Sequence, residues 1–89
     1  MRYFIVSRID REEALAFARM LAEDLRMAGH TVLFEHDTAD TLKMDGGISF
    51  EELPGRADLV VAVGGDGTVL RSVAKMPSQI PVIGVNWVR

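Results

Sequence analysis

The residues of this sequence whose types and spacing could do chemistry are Gly64-Gly65-Asp66-Gly67-Thr68. Closely spaced glycines let a backbone turn sharply and approach a ligand with no Cβ in the way. A helix predicted to begin near Thr68 aims its free N–H groups and the positive end of its dipole at the loop, which favours an anion such as phosphate. Asp66 runs against that, because a carboxylate repels phosphate and so needs another task. It could accept a proton from an attacking hydroxyl, hydrogen-bond a ribose hydroxyl, or hold a magnesium ion. All three belong to phosphoryl transfer onto a sugar-type hydroxyl, where the transition state is loose and the protein mainly positions groups and stabilises charge. The plain alternative is a structural turn with Asp66 as the N-cap of the helix. The five-residue motif directly after an apolar strand is more specific than an isolated Gly-Asp-Gly and favours the phosphate reading.

The elements that must position this loop follow from periodicity. Tyr3 to Val6 is a short apolar run that predicts a buried strand. Asp10 and Glu13 have the spacing of a capping box. The stripe Ala14, Leu15, Ala18, Leu21, Ala22, Leu25 and Ala28 then predicts a helix from about Arg11 to Ala28, ended by Gly29 at C′. Thr31 to Glu35 predicts a second strand. The polar segment His36 to Arg56 is less regular and is expected to be mobile, with a short helix over Thr38 to Met44 and turns at Gly46-Gly47 and Pro54-Gly55. Ala57 to Val63 holds the clearest strand, apolar on both faces like the central strand of a parallel sheet. Thr68 to Met76 predicts a helix with Val69, Leu70, Val73 and Met76 on its apolar side. Pro77 and Pro81 end it, and Pro81 to Val85 predicts a fourth strand. The order predicts an α/β fold, a three-layer parallel sheet of Rossmann-like or flavodoxin-like form with flanking helices. The Gly64 loop and Asn86 fall at the carboxyl edge of that sheet, where such folds bind ligands.

Composition narrows the function classes. The chain has 89 residues, enough for one domain. It has no cysteine, which removes disulfides, thiolate chemistry and zinc–sulfur sites. Its 10 basic and 13 acidic side chains give a net charge of −3 with no Lys/Arg cluster, which argues against a nucleic-acid partner. Leu59 to Val63 is too short for a membrane span and the N-terminal run too short for a signal-peptide core, so no membrane partner is expected and a cytoplasmic location is the default. His30 and His36 are too isolated to form a metal site. Glu51-Glu52 reads as a solvated pair, and Met20, Met27, Met44 and Met76 read as core filler.

Val61-Ala62-Val63-Gly64-Gly65-Asp66-Gly67-Thr68-Val69-Leu70-Arg71 closely resembles the signature of NAD kinases. Pro81-Val82-Ile83-Gly84-Val85-Asn86 resembles the strand that follows it in that family, and the opening strand–helix–strand is similar too. Lipid kinases of the diacylglycerol and sphingosine type share the Gly-Gly-Asp-Gly-Thr motif, and phosphofructokinases have a relative of it. The Asn-Pro opening of the former and the glycine-rich first loop of the latter are both missing here. The resemblance implies an enzyme that uses ATP (or polyphosphate), with Mg2+ or another divalent cation, to phosphorylate the 2′-hydroxyl of the adenosine ribose of NAD. It implies Asp66 as proton acceptor, Gly67 and Arg71 near the dinucleotide, and Gly64, Gly65 and Thr68 shaping the phosphate site, with Asn86 beside them. It also implies a second, mostly β domain outside this chain, little activity without it, and a homo-oligomer in the intact enzyme. A lipid or other small-molecule kinase domain and a non-catalytic nucleotide-binding module are the alternatives. Val88 stands where the family usually has glycine, and Trp87 beside it is a candidate for self-association.

Overall fold

The computed structural model describes residues 1–76 and 79–86; Pro77, Ser78, Trp87, Val88 and Arg89, and with them the expectations for Trp87 and Val88, lie outside the described residues. Four strands, β1 (Arg2–Ser7), β2 (Thr31–Phe34), β3 (Leu59–Gly64) and β4 (Val82–Asn86), form one sheet in the order β2-β1-β3-β4. Every pairing is parallel. The helices are α1 (Glu12–Met27), α2 (His36–Thr41) and α3 (Asp66–Lys75), with a 3₁₀ turn at Phe50–Glu52. The predicted parallel α/β architecture is therefore borne out.

Strand alternation builds the two sides of the core. Ile5, Val61, Val63, Val32 and Phe34 point to one face, where Ala14, Ala18 and Ala22 of α1 and Ala39 of α2 cover them. Phe4, Val6, Val60 and Ala62 point to the other, against Ile48, Phe50, Leu53 and Ala57, with Val69 of α3 and Met76 at its C-cap packed alongside. β3 lies between β1 and β4 and is buried on both faces, as its continuous apolar run predicts.

Local details differ from the sequence expectation. Asp10 does not cap α1: Arg11 is the N-cap with no side-chain bond, and the Asp10 carboxylate is taken by Arg8 instead. Gly29 does end α1, at φ +92°, in a Schellman pattern in which Gly29 N–H donates to Arg26 O and His30 N–H to Leu25 O. α2 begins two residues before the expected Thr38 and ends at Thr41, because the Glu35 carboxylate caps it through the N–H groups of Asp37 and Thr38. The segment after it is pinned to the sheet by buried Ile48, Phe50, Leu53 and Ala57 and by a parallel bridge between Glu35 and Ile48. Met44 and Met76 pack against the core, whereas Met20 and Met27 are exposed on α1. Glu52 is more than a solvated residue, since it closes a capping box with Ser49.

α3 lies very close to β4. A Cβ added to Gly84 would stand 2.7 Å from Val69 Cγ2. Valine is stiff at χ1 in a helix, so the methyl cannot swing aside. Gly84→Ala is therefore expected to destabilise the chain by about 1–3 kcal/mol, read as a lower urea midpoint with unchanged slope. An unchanged midpoint would mean that α3 does not rest on β4 this closely.

Candidate functional site

The chain leaves β1 toward β2 on one side of the sheet and leaves β3 toward β4 on the other. The carboxyl ends of β1 and β3 therefore flank the topological switch point, the place where open parallel sheets bind ligands. An open cleft of about 500 Å³ lies there, lined by Arg8, Ile9 and Asp10 after β1 and by Gly65, Asp66, Gly67, Thr68 and Arg71 after β3.

A single residue, Gly65, separates β3 from α3. Gly64 is still paired in the sheet, opposite Asn86, and has φ +155°. A Cβ on it would collide with the Thr68 hydroxyl and stand 3.3 Å from Arg8 Cβ. Both backbone angle and space thus require glycine here. Gly65 is the N-cap, and the helix starts at Asp66, two residues earlier than the sequence suggests. Asp66 is consequently the first helical residue and not the cap. Its carboxylate is exposed at the cleft, where a negative charge sits favourably on the helix dipole. Thr68 N–H turns back to Gly65 O at 3.0 Å, whereas Asp66 and Gly67 occupy positions whose N–H groups have no intrahelical acceptor.

The expected site residues are thus brought together with distinct parts. Asp66, Gly67, Thr68 and Arg71 line the cleft on α3 and Gly65 lines it from the turn. Gly64 lies buried beneath as the hinge. Asn86 does not line the cleft; its Oδ1 is 3.8 Å from where a Cβ on Gly65 would stand, on the β4 side of the turn. Leu70 neither lines the cleft nor packs the helix, being 69% exposed, and Val73 is also exposed. The face of α3 turned to the sheet carries Thr68, Val69 and Ser72 instead, with Met76 packing just past its end.

Sequence reasoning missed the β1 side of the cleft. Arg8 N–H donates to Val63 O at 2.8 Å, which prolongs the β1–β3 ladder by one bond and fixes Arg8 beside the loop. Its Nε and Nη2 donate to Asp10 Oδ1 and Oδ2 at 2.7 and 2.9 Å. The signal was positional: these residues directly follow the strand that neighbours β3. Among the described residues no group of three or more His, Asp or Glu side chains gathers to hold a metal ion. A divalent cation would instead arrive with phosphates and water as its main ligands, which suits a site offering one or two carboxylates.

The Arg8 hydrogen bonds hold the Asp10 carboxyl down, at about 2 against an ordinary 3.8. A group whose folded pKa is depressed adds stability that is present above its unfolded pKa and lost as pH falls through the folded one. The pair's contribution is therefore complete above about pH 4 and fades toward pH 2. Carbon-detected NMR of the Asp10 carboxyl should give a midpoint near 2. In Arg8→Gln it should return toward the ordinary range. A midpoint that ignores the substitution would show that the fork is not formed in solution.

The family described as ATP-NAD kinase N-terminal domain matches residues 4–88. An NAD kinase from Methanoculleus marisnigri is 52% identical over 87 residues, covering 98% of this chain and 31% of that protein. An NAD kinase from Thermococcus gammatolerans is 37% identical over 89 residues, covering 97% of this chain and 31% of that protein. Among solved structures, an NAD kinase from Archaeoglobus fulgidus in complex with ATP matches with a TM-score of 0.60 and 22% identity, over 97% of this chain and 28% of that one. At that identity the structural likeness is one of fold. The chain spans about a third of the length of the curated relatives it matches.

Proposed function

The chain belongs to the NAD kinase family, and from that premise we propose that it is the N-terminal α/β domain of an enzyme that moves the terminal phosphoryl group of ATP, or of polyphosphate, onto the 2′-hydroxyl of the adenosine ribose of NAD, giving NADP. The observation that carries this reading is the placement of Asp66. It is an exposed carboxylate on the first turn of α3, lining the switch-point cleft, with Arg71 five residues further along the helix and lining the same cleft.

In this reading the ribose 2′-oxygen attacks the terminal phosphorus and the bond to the leaving ADP oxygen breaks. The proton of the hydroxyl passes to Asp66. Because the transition state is loose, that transfer comes late, and Asp66 acts first by orienting the hydroxyl. Gly65 and Gly67 let phosphates approach the backbone, and Arg71 balances their charge. Gly64 and Thr68 hold the turn in shape, and Asn86 borders it from β4. A magnesium ion, when bound, neutralises phosphate charge; Asp66 is the carboxylate best placed to contact it. The chain carries the Gly64–Thr68 half of the site, and no turnover is expected from it alone. A second, mostly β domain supplies the rest of the dinucleotide surface.

Two measurements test the reading. In the intact enzyme, Asp66→Asn should lower kcat by about 10²–10⁴-fold with little loss of thermal stability, since Asp66 is exposed and only its favourable placement on the helix dipole is lost. In this chain, NAD should shift the amide NMR signals of Gly64 to Arg71 and of Asn86 and few others. Near-normal turnover by Asp66→Asn would remove the proton-acceptor role.

A further inference from the structure

Among the described residues there are two arginine–aspartate forks, and their difference is informative. At the amino end of the sheet, Arg2 engages Asp58 through Nε and Nη2 and turns Nη1 to Gly55 O. All of its nitrogens are occupied by the protein. At the carboxyl end, Arg8 engages Asp10 through Nε and Nη2 in the same way, but Nη1 has no partner among the described residues. The first fork is a clamp between chain segments. The second presents an unfilled donor at the edge of the cleft.

Three constraints fix where that donor stands. The backbone bond to Val63 O sets the Arg8 main chain. Arg8 Cβ lies against the position a Gly64 side chain would fill, so the arginine packs on the hinge of the loop itself. Asp10, two residues on, aligns the guanidinium plane. This fork joins residues only two apart in sequence and, unlike Arg2–Asp58, ties no distant segments of the chain together. A planar guanidinium locked by one carboxylate is, by contrast, a preorganised group for the oxygens of a phosphate. Asp10 stays ionised down to about pH 2, so the fork persists at any physiological pH.

We propose that Arg8, held in place by Asp10, is a phosphate-binding residue of the cleft, contacting the phosphate chain of the bound nucleotide from the β1 side while Arg71 contacts it from α3. Arg8 is the ligand-contacting residue and Asp10 the positioning one. The inference rests on the nucleotide reading of the cleft. It leaves two sources for the phosphate, the triphosphate of the donor or the pyrophosphate of the dinucleotide.

The test has an arm for each source and one independent of both. Inorganic triphosphate titrated into this chain should shift the Arg8 Nε–H signal and the amides of Gly65 to Thr68. Arg8→Gln should weaken that binding roughly tenfold and Asp10→Asn less, the loss of one charge-assisted contact. Arg8→Lys should recover part of it. Arg2→Gln, which breaks the other fork, should leave it as it was. In the intact enzyme, Arg8→Gln should raise KM roughly tenfold, for ATP if the donor is the partner and for NAD if the dinucleotide is. Loss of NAD phosphorylation as an activity would leave the triphosphate arm standing, so the two readings fail separately. Triphosphate binding that is absent, or indifferent to Arg8→Gln, would overturn the proposal.

Discussion

The site depends on one steric constraint, the turn of β3 into α3 at Gly64. The strand still pairs at that residue and the helix begins two residues later. A chain can reverse its course that tightly only if the hinge residue has no side chain and accepts a positive φ. Thr68 and Arg8 then close on the space a Cβ would need, one from the helix and one from the neighbouring strand. The hinge therefore does more than permit a turn. It draws the first turn of α3 and the end of β1 together, and the cleft is what remains open between them.

That close approach also explains the composition of α3. A helix held by a broad apolar stripe would stand off the sheet by the length of its leucines. Here the residues facing inward are short: Thr68 and Ser72 are buried, at 5% and 1% exposure, and Val69 meets a bare glycine. Burying a hydroxyl costs free energy unless it is hydrogen-bonded. Ser72 meets that requirement within its own helix by donating to Thr68 O at 2.7 Å. The larger apolar residues Leu70 and Val73 are left on the outward side. Apolar spacing alone assigns them inward, and closeness to the sheet is what reverses the assignment.

The fold was legible because its signals are redundant along the chain. The β3 run is apolar on both faces, Gly29 follows a long amphipathic stripe, and each strand alternates with a helix or its substitute. The parts that were not legible turn on competition between neighbours for one side chain. Asp10 and Glu13 have capping-box spacing, yet Arg8 outbids the helix for the Asp10 carboxylate with two short charged bonds. Ser49 and Glu52 have the same spacing and form the box, where among the described residues Glu52's ion-pair partner is Arg56 at a looser 3.6 Å. Glu35 reads as the end of a strand, but its carboxylate caps α2 and accepts from the Thr38 hydroxyl at 2.8 Å, which moves the helix start. At the site itself the loop was visible from its glycines, whereas Arg8 had no motif of its own. Only the register of β1 against β3 places it at the cleft.

The charges around the cleft bear on what it can select. Arg8 and Arg71 face it together with Asp10 and Asp66, so its lining has no excess of positive charge, in a chain whose net charge is −3. Long-range attraction therefore does not bring an anion here. What the lining offers is a mixture of donors and acceptors: Arg8 after β1, the first N–H groups of α3, and the Asp66 carboxylate. A bare phosphate gains from the donors and loses to Asp66. A ligand that joins phosphates to a hydroxyl gains from both, because its hydroxyl can donate to the carboxylate that repels the rest. On the proposed reading, a lining balanced in charge but mixed in donors and acceptors would favour a phosphorylated sugar over a simple anion. It does so with the same residue, Asp66, that would take the proton when the hydroxyl attacks.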